Sequence, residues 1–211
     1  MSINSANLFN KNWERYDDWF EKHKNAYFSE LKALKKVIPE GFGLEVGVGS
    51  GRFAFPLGVK MGIDPSKNML RGAKGRGIQV IQGAGEELPF KDGSFDFVLI
   101  VVTLCFVENP VNVLSEARRV LKRGGRLIVG EINKESWLGQ IYEDRRKKSQ
   151  FYIVATFYSS NEIIEMFDRV GIRYLESYHT LMSQSTAHEM LEEPEKGLDK
   201  GGFVVIAGVK N

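Results

Sequence analysis

The segment LEVGVGSGRF, residues 44–53, places three glycines at alternate positions close behind an acidic residue. Glycine permits positive φ angles and close backbone approach, so a strand-to-helix turn with Gly47, Gly49 and Gly51 can present main-chain N–H groups and a helix N-terminus to a ligand. The spacing also satisfies a permissive dinucleotide motif, G-x-G-x-x-A. The glycines therefore predict a nucleotide-binding loop without identifying the nucleotide.

Two acidic residues narrow the choice of nucleotide. Glu45 lies one residue from the first glycine, where it would repel a pyrophosphate and attract an ammonium or sulfonium group. Asp64 follows the run VKMGI, at a strand end from which a carboxylate can accept both hydroxyls of a ribose. Capping of a helix that starts near Pro65 is its alternative role. Because the phosphate-binding pattern G-x-x-x-x-G-K-S/T is absent, these residues together predict a cationic adenosyl ligand.

Beyond Pro39, short β-branched runs alternate with helical patterns. This alternation identifies the strands and helices that must position these residues. Strands are expected in FGLEVG, VKMGID, IQVIQG, FDFVLIVVTL, RLIVGEI, RYLESYHTL and GFVVIAGV. The pattern predicts an α/β fold built from βαβ units, with the apolar run 95–107 as a central strand covered on both faces. Apolar spacing predicts a crossover helix over residues 111–122 that KRGG ends, and SSNEIIEMFDRVGI predicts a capped helix that ends at Gly171.

Two segments fall outside this alternation. Residues 1–38 predict one or two helices rich in aromatic side chains, and residues 133–158 interrupt the strand order. Either the aromatics pack on the sheet edge or they form a lid over a substrate. We expect one domain over residues 1–211, with a helical cap (1–38), a cofactor-binding core (40–132) and a substrate-side insertion (133–158).

Composition excludes several classes of protein. The 211 residues are 43% hydrophobic and 27% charged, as in ordinary globular proteins. A net charge of +2 argues against a surface that follows a nucleic-acid backbone, and the basic cluster over residues 145–148 is typical of a solvated helix face. The chain shows no secretory signal, and its longest apolar run is about half a membrane span. The sequence therefore predicts a cytoplasmic protein without a membrane or obligatory nucleic-acid partner.

Four motifs in order, LEVGVGSG, GIDPSKNML, GAGEELPFKDGSFDFVLIVVTLCFVENP and EARRVLKRGGRLIV, closely resemble those of the class I S-adenosylmethionine-dependent methyltransferases, in the small-molecule group called methyltransferase type 11. The resemblance covers about residues 40–132. It implies a Rossmann-like sheet of seven strands in the order 3-2-1-4-5-7-6, with the last strand antiparallel, helices on both faces and an N-terminal helical lid. It also implies S-adenosylmethionine as cofactor, S-adenosylhomocysteine as product and a small molecule as acceptor.

The resemblance assigns roles to individual residues. Gly47, Gly49 and Gly51 would bring backbone against the methionine part of the cofactor, Glu45 would lie near its amino group, and Asp64, with Pro65 after it, would hold the ribose. Ala84 stands where many relatives have an adenine-binding aspartate. The remaining expected contacts are Met69 against adenine (or in the core), Gly85 and Glu86 at the ring edge, Thr103 and Leu104 beside the sulfonium, and Tyr16 in the lid.

No catalytic residue is assigned, because an in-line methyl transfer depends mainly on positioning and on exclusion of water. Cys105 and Phe106 occupy positions where related enzymes often carry histidine, and the single cysteine is expected to pack as a small hydrophobe. His23, His179 and His188 lie in peripheral segments without metal-ligand spacing, so no metal site is expected.

The acceptor is expected in an apolar pocket built from aromatic residues of the two segments outside the alternation: Tyr16, Trp19, Trp137, Phe151, Tyr152 and Phe157. Such walls suit an amine, a phenol or quinone-like molecule, or a carboxylate with a few polar contacts. The chain lacks the N-P-P-Y type of sequence that accompanies base-flipping amino-methylation. An inactive S-adenosylmethionine-binding module, an RNA methyltransferase and a dinucleotide-dependent oxidoreductase are the alternatives.

Replacement of Asp64 tests the ribose assignment. Asp64→Ala removes both carboxylate acceptors, and we expect the affinity for S-adenosylmethionine to fall by more than about tenfold, since hydrogen bonds to a charged group each contribute about 1.5 to 3 kcal/mol. Calorimetric titration measures the change. An unchanged affinity would remove the assignment.

Overall fold

A mixed sheet organises the chain. The computed structural model describes residues 3–146, 149, 151–184, 189–198 and 201–211. Its strands are β1 (Gly43–Val46), β2 (Met61–Asp64), β3 (Gln79–Gln82), β4 (Phe95–Val101), β5 (Leu121–Ile132), β6 (Ile172–Thr180), β7 (Glu195–Lys196) and β8 (Phe203–Lys210). Its α-helices are α1 (Ile3–Lys11), α2 (Trp13–Lys22), α3 (Lys24–Lys35), α4 (Lys67–Gly75), α5 (Pro110–Val120), α6 (Trp137–Arg145) and α7 (Ser160–Arg169). Among the described helices, none has the length and apolar character needed to cross a membrane.

The strand order is β3-β2-β1-β4-β5-β8-β6-β7. The first five strands of this order are parallel, while β8 lies between β5 and β6 and runs antiparallel to both. The predicted Rossmann-like order is therefore confirmed, with GFVVIAGV as the inserted antiparallel strand. The sheet has eight strands where seven were predicted, because the two-residue β7 pairs with Tyr178 and His179 at the edge of β6.

Alternation along β4 separates two apolar layers. Phe97, Leu99 and Val101 pack on one face of the sheet with buried residues of α3 and α4. Val98 and Ile100 pack on the opposite face with buried residues of α5 and α7. Because successive strand side chains point to opposite faces, a continuous apolar run is what a central strand between two helical layers requires.

One helix boundary agrees with the prediction from local sequence, and another does not. Helix α7 begins with the expected cap: the Ser159 hydroxyl accepts from the Glu162 N–H, and the Glu162 carboxylate accepts from the Ser159 N–H. The predicted end of α5 is wrong by two residues. The helix ends at Val120, and KRGG lies in the first half of β5, where Leu121 pairs with Phe95 before the register shifts.

The segment that follows the glycine loop was expected to begin a helix, and this prediction is wrong. Residues 51–58 form a series of turns. Pro56 has no N–H to donate to the carbonyl of Arg52 and restricts the residue before it, so a regular helix cannot propagate here. The freed carbonyl of Arg52 instead accepts the hydroxyl of Tyr27 on α3, which fastens this segment to the helical layer.

Helices α1 and α2 attach to segments on either side of Asp64. Asn10 of α1 accepts through Oδ1 from the Asn68 N–H (2.9 Å) and the Ser66 hydroxyl (3.2 Å) at the start of α4. Asp17 of α2 accepts from the Ser50 hydroxyl (2.6 Å) and Arg52 (2.6 and 2.9 Å) beside the glycine loop. Arg76, just beyond α4, reaches the same carboxylate at 3.0 Å. We call Asp17 with these three partners the Asp17 cluster.

The Asp17 cluster strongly favours the ionised form of the Asp17 carboxyl group. Burial alone would raise its pKa, but the hydrogen bonds from Arg52 and Ser50 and the charge of Arg76 outweigh that effect and lower the pKa to about 2. A carboxylate whose pKa is lowered on folding contributes stability above its unfolded pKa and loses it as pH falls.

Asp17→Asn is therefore expected to lower the free energy of unfolding at pH 7 by roughly 1 to 3 kcal/mol, because two partly buried guanidinium groups lose their charged partner. Chemical denaturation at pH 7 measures the loss, which should shrink as pH falls below about 4, where the unfolded wild-type carboxyl protonates.

Asp18→Asn is the matched control for that measurement, since Asp18 is the exposed neighbour on the same helix. Its stability should stay within about 0.5 kcal/mol of the wild-type value. Equal losses in the two variants would show that the Asp17 cluster does not hold the helix on the loop.

Candidate cofactor and acceptor site

The carboxyl ends of the parallel strands meet at one edge of the sheet, as the fold class requires. A narrow cleft of about 10 Å³ opens there. Its lining residues are Val46, Gly47, Ile63, Pro65, Gly83, Gly85, Thr103 and Val107. Four residues predicted to contact the cofactor, Gly47, Pro65, Gly85 and Thr103, are therefore brought together.

Asp64 links the glycine loop to the end of β2. Its Oδ2 accepts from the Gly49 N–H at 3.0 Å and its Oδ1 from the Ser66 N–H at 2.8 Å. Burial raises the pKa of Asp64 to about 6 against the effect of these two bonds. The side-chain cap of α4 is Ser66, which accepts from the Met69 N–H, so the helix-cap alternative for Asp64 is wrong. Each carboxylate oxygen retains capacity to accept a further hydrogen bond.

The N–H groups of the three loop glycines donate to acceptors within the protein. Gly47 donates to the Ile63 carbonyl (2.8 Å), Gly49 donates to Asp64, and Gly51 donates to the Val48 carbonyl (2.8 Å). The expectation that these N–H groups face a ligand is thus wrong, because buried donors need protein partners. The loop offers space instead: an added Cβ would meet nothing within 4 Å at Gly49, whereas at Gly47 it would lie 2.3 Å from the Thr103 hydroxyl.

Glu45 is a buried acid that can accept a further hydrogen bond. The side chain is 2% exposed and accepts from the Ala54 N–H, yet its Oε2 has no hydrogen-bond partner among the described residues. Burial, together with the charge of Asp64, holds its pKa well above the usual range. A buried carboxylate oxygen without a donor fits the ammonium group of S-adenosylmethionine, which would satisfy it.

The other eight predicted contacts do not line the cleft: Tyr16, Glu45, Gly49, Gly51, Asp64, Met69, Glu86 and Leu104. Met69 is 2% exposed and packs in the apolar layer that contains α3 and α4, which favours its role as a core methionine. Leu104 is fully buried in the opposite layer. Glu86 does not line the cleft, and its carbonyl accepts from the Asn112 side chain at 3.1 Å. Gly51 packs against α4, where an added Cβ would lie 2.6 Å from Ile78.

Glu131, which sequence reasoning missed, supports the wall beside the cleft. Its Oε1 accepts from the N–H groups of Thr103 (2.9 Å) and Leu104 (2.8 Å). Val102, with a φ of 45°, turns the chain so that these two donors point at the carboxylate. Burial raises the pKa of Glu131 to about 7 against these bonds. A glutamate in the otherwise apolar run RLIVGEI was the available signal.

Beside the cleft lies an aromatic cavity of about 360 Å³ between α2, α3, α6 and the end of β4. Five of the six predicted aromatics line it: Tyr16, Trp19, Trp137, Phe151 and Tyr152. Phe157 does not line it but packs behind Tyr152, with ring centroids 5.7 Å apart. The other lining residues are Phe9, Arg15, Phe20, His23, Ala26, Glu30, Phe53, Val102, Phe106, Ile132, Leu138, Ile141, Tyr142, Arg145, Leu181 and Gln184.

Tyr16 occupies a central place in this cavity. Its ring packs edge-on against Phe9 (5.4 Å) and Phe20 (5.4 Å). Burial raises the pKa of its hydroxyl, and the charges of Glu30, Glu45 and Asp64 add to that effect. The charges of an acid in the cavity, Glu30, and of two acids beside the glycine loop, Glu45 and Asp64, therefore all disfavour ionisation of this hydroxyl.

The histidines are spread across the molecule. His23 lines the cavity and stacks on Trp19 (4.8 Å between centroids), whereas His179 is buried on β6 with Glu195 at 3.9 Å. His188 lies outside the described residues. Cys105 is buried and does not line the cavity. Within the described part of the chain, no group of three histidine, cysteine or carboxylate side chains is arranged to hold a metal ion.

The predicted basic cluster is only partly described. Arg145, an exposed residue at the end of α6, lines the cavity. Arg146 forms an ion pair with Glu143 at 3.3 Å. Lys147 and Lys148 lie outside the described residues. The two arginines therefore face different neighbours.

Alanine substitutions in the loop separate folding from cofactor binding. Gly47→Ala is expected to cost about 2 to 4 kcal/mol of stability, because positive-φ strain adds to a clash with Thr103. Gly49→Ala costs only the backbone strain, about 1 to 2 kcal/mol, but places a methyl group in the open space of the loop. We expect it to weaken S-adenosylmethionine binding about tenfold, as measured by calorimetry.

Gly58→Ala is the matched control, because Gly58 also has a positive φ and open space around its Cβ position but lies outside the loop. It should lose similar stability and keep its affinity. If Gly49→Ala and Gly58→Ala bind the cofactor equally well, the loop does not border it.

Comparisons with known proteins agree with this geometry. A family model described as a methyltransferase domain matches residues 44–129. An uncharacterized protein of Methanocaldococcus jannaschii is 47% identical over 97% of this chain and 99% of its own length. A demethylmenaquinone methyltransferase of Bacillus cereus is 26% identical over 93% of this chain and 85% of its own.

A solved structure from Thermotoga maritima superposes with a TM-score of 0.95 and 44% sequence identity, covering 97% of this chain and 99% of that one. It is described as an S-adenosylmethionine-dependent methyltransferase and a possible histamine N-methyltransferase. Full-length similarity at this level and a matching family model lead to one conclusion: the chain belongs to the class I S-adenosylmethionine-dependent methyltransferases.

Proposed function

We propose that the protein transfers a methyl group from S-adenosylmethionine to a small molecule bound in the aromatic cavity. The observation that carries the proposal is the position of that cavity. It is lined by Val102 and Phe106, on either side of Thr103 in the chain, and Thr103 lines the cofactor cleft. A ligand in the cavity would thus lie next to the wall expected beside the sulfonium.

Bound S-adenosylmethionine supplies a methyl carbon activated by the sulfonium charge. The chain's task is to align the acceptor's lone pair with that carbon, so that the new bond forms as the bond to sulfur breaks and its electron pair stays on sulfur. We assign Asp64 to the ribose, Glu45 to the amino group and Thr103, held by Glu131, to the wall beside sulfur. Tyr16 and its neighbouring rings would close over the acceptor and exclude water.

The acceptor classes remain an amine, a phenol or quinone-like molecule, or a carboxylate. A cavity of about 360 Å³ lies within the range of small-molecule sites. The names of two relatives include acceptors of two of these classes, demethylmenaquinone for the Bacillus protein and histamine, as a possible acceptor, for the Thermotoga protein. RNA methylation has less support, because a cavity walled by aromatic rings is not a basic groove that follows a phosphate backbone.

Formation of S-adenosylhomocysteine tests the proposal. The purified chain is incubated with S-adenosylmethionine and single members of a panel of amines, phenols and carboxylates, and thioether and methylated product are quantified by mass spectrometry. We expect at least one class to yield the two in equal amounts. Binding of S-adenosylmethionine without turnover across the panel would favour the inactive binding module, and binding of NAD alone would favour the oxidoreductase.

A further inference from the structure

One acid in the aromatic cavity has no part in the cofactor cleft. Glu30 lies on α3, on the same apolar helix face as Ala26, Ala33 and Leu34, and its side chain is 3% exposed. It lines the cavity. Among the described lining residues it is the sole carboxylate, while Arg15 and Arg145 are exposed.

Glu30 has no partner among the described residues: no side chain or N–H group donates to its carboxylate, and no cation pairs with it. The other buried acids of this region differ, since Glu131 and Asp64 each accept two N–H groups and Glu45 accepts one. Burial alone raises the pKa of Glu30 to about 8. A buried carboxylate without compensation is costly, so its presence points to a ligand.

The position of Glu30 separates it from the cofactor acids. Glu45 and Asp64 lie close enough for Asp64 to raise the pKa of Glu45, whereas no neighbouring charge shifts that of Glu30. Glu30 lines the aromatic cavity, whereas Glu45 and Asp64 do not. Glu30 is therefore on the acceptor side of the site.

The walls around Glu30 favour a cation. Trp19, Trp137, Tyr142 and Tyr152 present aromatic rings to the cavity, and the rings of Tyr142 and Tyr152 stack 4.2 Å apart. Aromatic faces attract organic cations that have lost part of their water shell. An acid among such rings is complementary to a protonated amine and repels a carboxylate.

From this juxtaposition we propose that the methyl acceptor is an organic amine that binds inside the aromatic cavity as its ammonium form, paired with Glu30. For transfer, the ammonium passes one proton to the Glu30 carboxylate, and the nitrogen lone pair then forms the bond to the methyl carbon while the carbon–sulfur bond breaks with its electron pair on sulfur. The inference rests on the proposed function and narrows its three acceptor classes to one. Glu30 is a substrate-binding residue in this proposal, and the cofactor is held without it.

Calorimetric titration of the full chain saturated with S-adenosylhomocysteine tests the pairing without turnover. The probes are 2-phenylethylamine and histamine, with 2-phenylethanol and 3-phenylpropionate as the neutral and anionic counterparts. We expect both amines to bind the wild-type protein at least tenfold more tightly than either counterpart. Glu30→Gln should weaken the amines at least tenfold and leave the affinities for 2-phenylethanol and S-adenosylhomocysteine within twofold.

Glu165→Gln, a change of the same kind at an exposed position of α7, is the matched control and should change no affinity. Equal binding of amine and alcohol by the wild-type protein, or amine binding unaffected by Glu30→Gln, would overturn this inference alone. So would a loss of S-adenosylhomocysteine affinity in Glu30→Gln, which would place Glu30 on the cofactor. A wild-type protein that does not bind S-adenosylhomocysteine would overturn the proposed function as well.

Thermal unfolding separates a binding role from a structural one. The groups that face Glu30 across the cavity are Arg15, Tyr16, His23, Tyr142, Arg145 and Tyr152. Because folding raises the pKa of Glu30 from 4.5 to about 8, its unfavourable effect on stability is absent below pH 4.5 and grows as pH rises to 8. Glu30→Gln should therefore unfold at a higher temperature than the wild-type protein at pH 8.5, with a smaller difference at pH 5. A variant that is less stable at both pH values would show that Glu30 is structural.

Discussion

The carboxylate of Asp64 is the interaction on which the site depends. It joins the glycine loop to the first turn of α4 through two N–H groups, Gly49 on one side and Ser66 on the other. The N–H groups of Gly47, Gly49 and Gly51 already donate to acceptors within the protein. In the function proposed above, side-chain acids and open space recognise the adenosyl group, and the Gly49 and Ser66 N–H groups fix Asp64 in place.

Burial of carboxyl groups is the second constraint. Glu30, Glu45, Asp64 and Glu131 are each at most 3% exposed, and burial raises the pKa of each. The number of N–H groups that donate to each carboxylate differs, and this difference distinguishes the roles of the four acids. Glu131 and Asp64 are held by two N–H groups and shape the backbone, whereas the free oxygen of Glu45 and the carboxylate of Glu30 retain their capacity for a cationic ligand.

The sequence predicted the parts that local chemistry controls. Periodicity located the strands and α5, a capping serine located the start of α7, and Glu45 and Asp64 were singled out from their places at strand ends near the glycine loop. The insertion of β8 between β5 and β6 came only from family resemblance. Contacts between segments that are distant in the sequence could not be predicted from it. Asp17 contacts Ser50, Arg52 and Arg76 only after three segments come together in the fold.

Some errors had local signals that were overlooked. Pro56 interrupts the helix expected after the loop, and Glu30 stands on the apolar face of α3 at the spacing of a core residue. Other differences had no local signal. Met69 packs in the core because α4 lies flat on the sheet layer, and Phe157 falls behind the cavity because Tyr152 occupies the position in front of it.

The Asp17 cluster has a consequence for the rate at which ligands exchange. The cleft lined by Gly47 and Thr103 is narrow, and α2 is fastened beside the glycine loop by ion pairs at 2.6 and 3.0 Å. Separating α2 from the loop requires these partly buried pairs to break together. Residence time of the spent cofactor, and with it the turnover rate, would then depend on ion pairs that hold the helix carrying Tyr16 and that take no part in the methyl transfer.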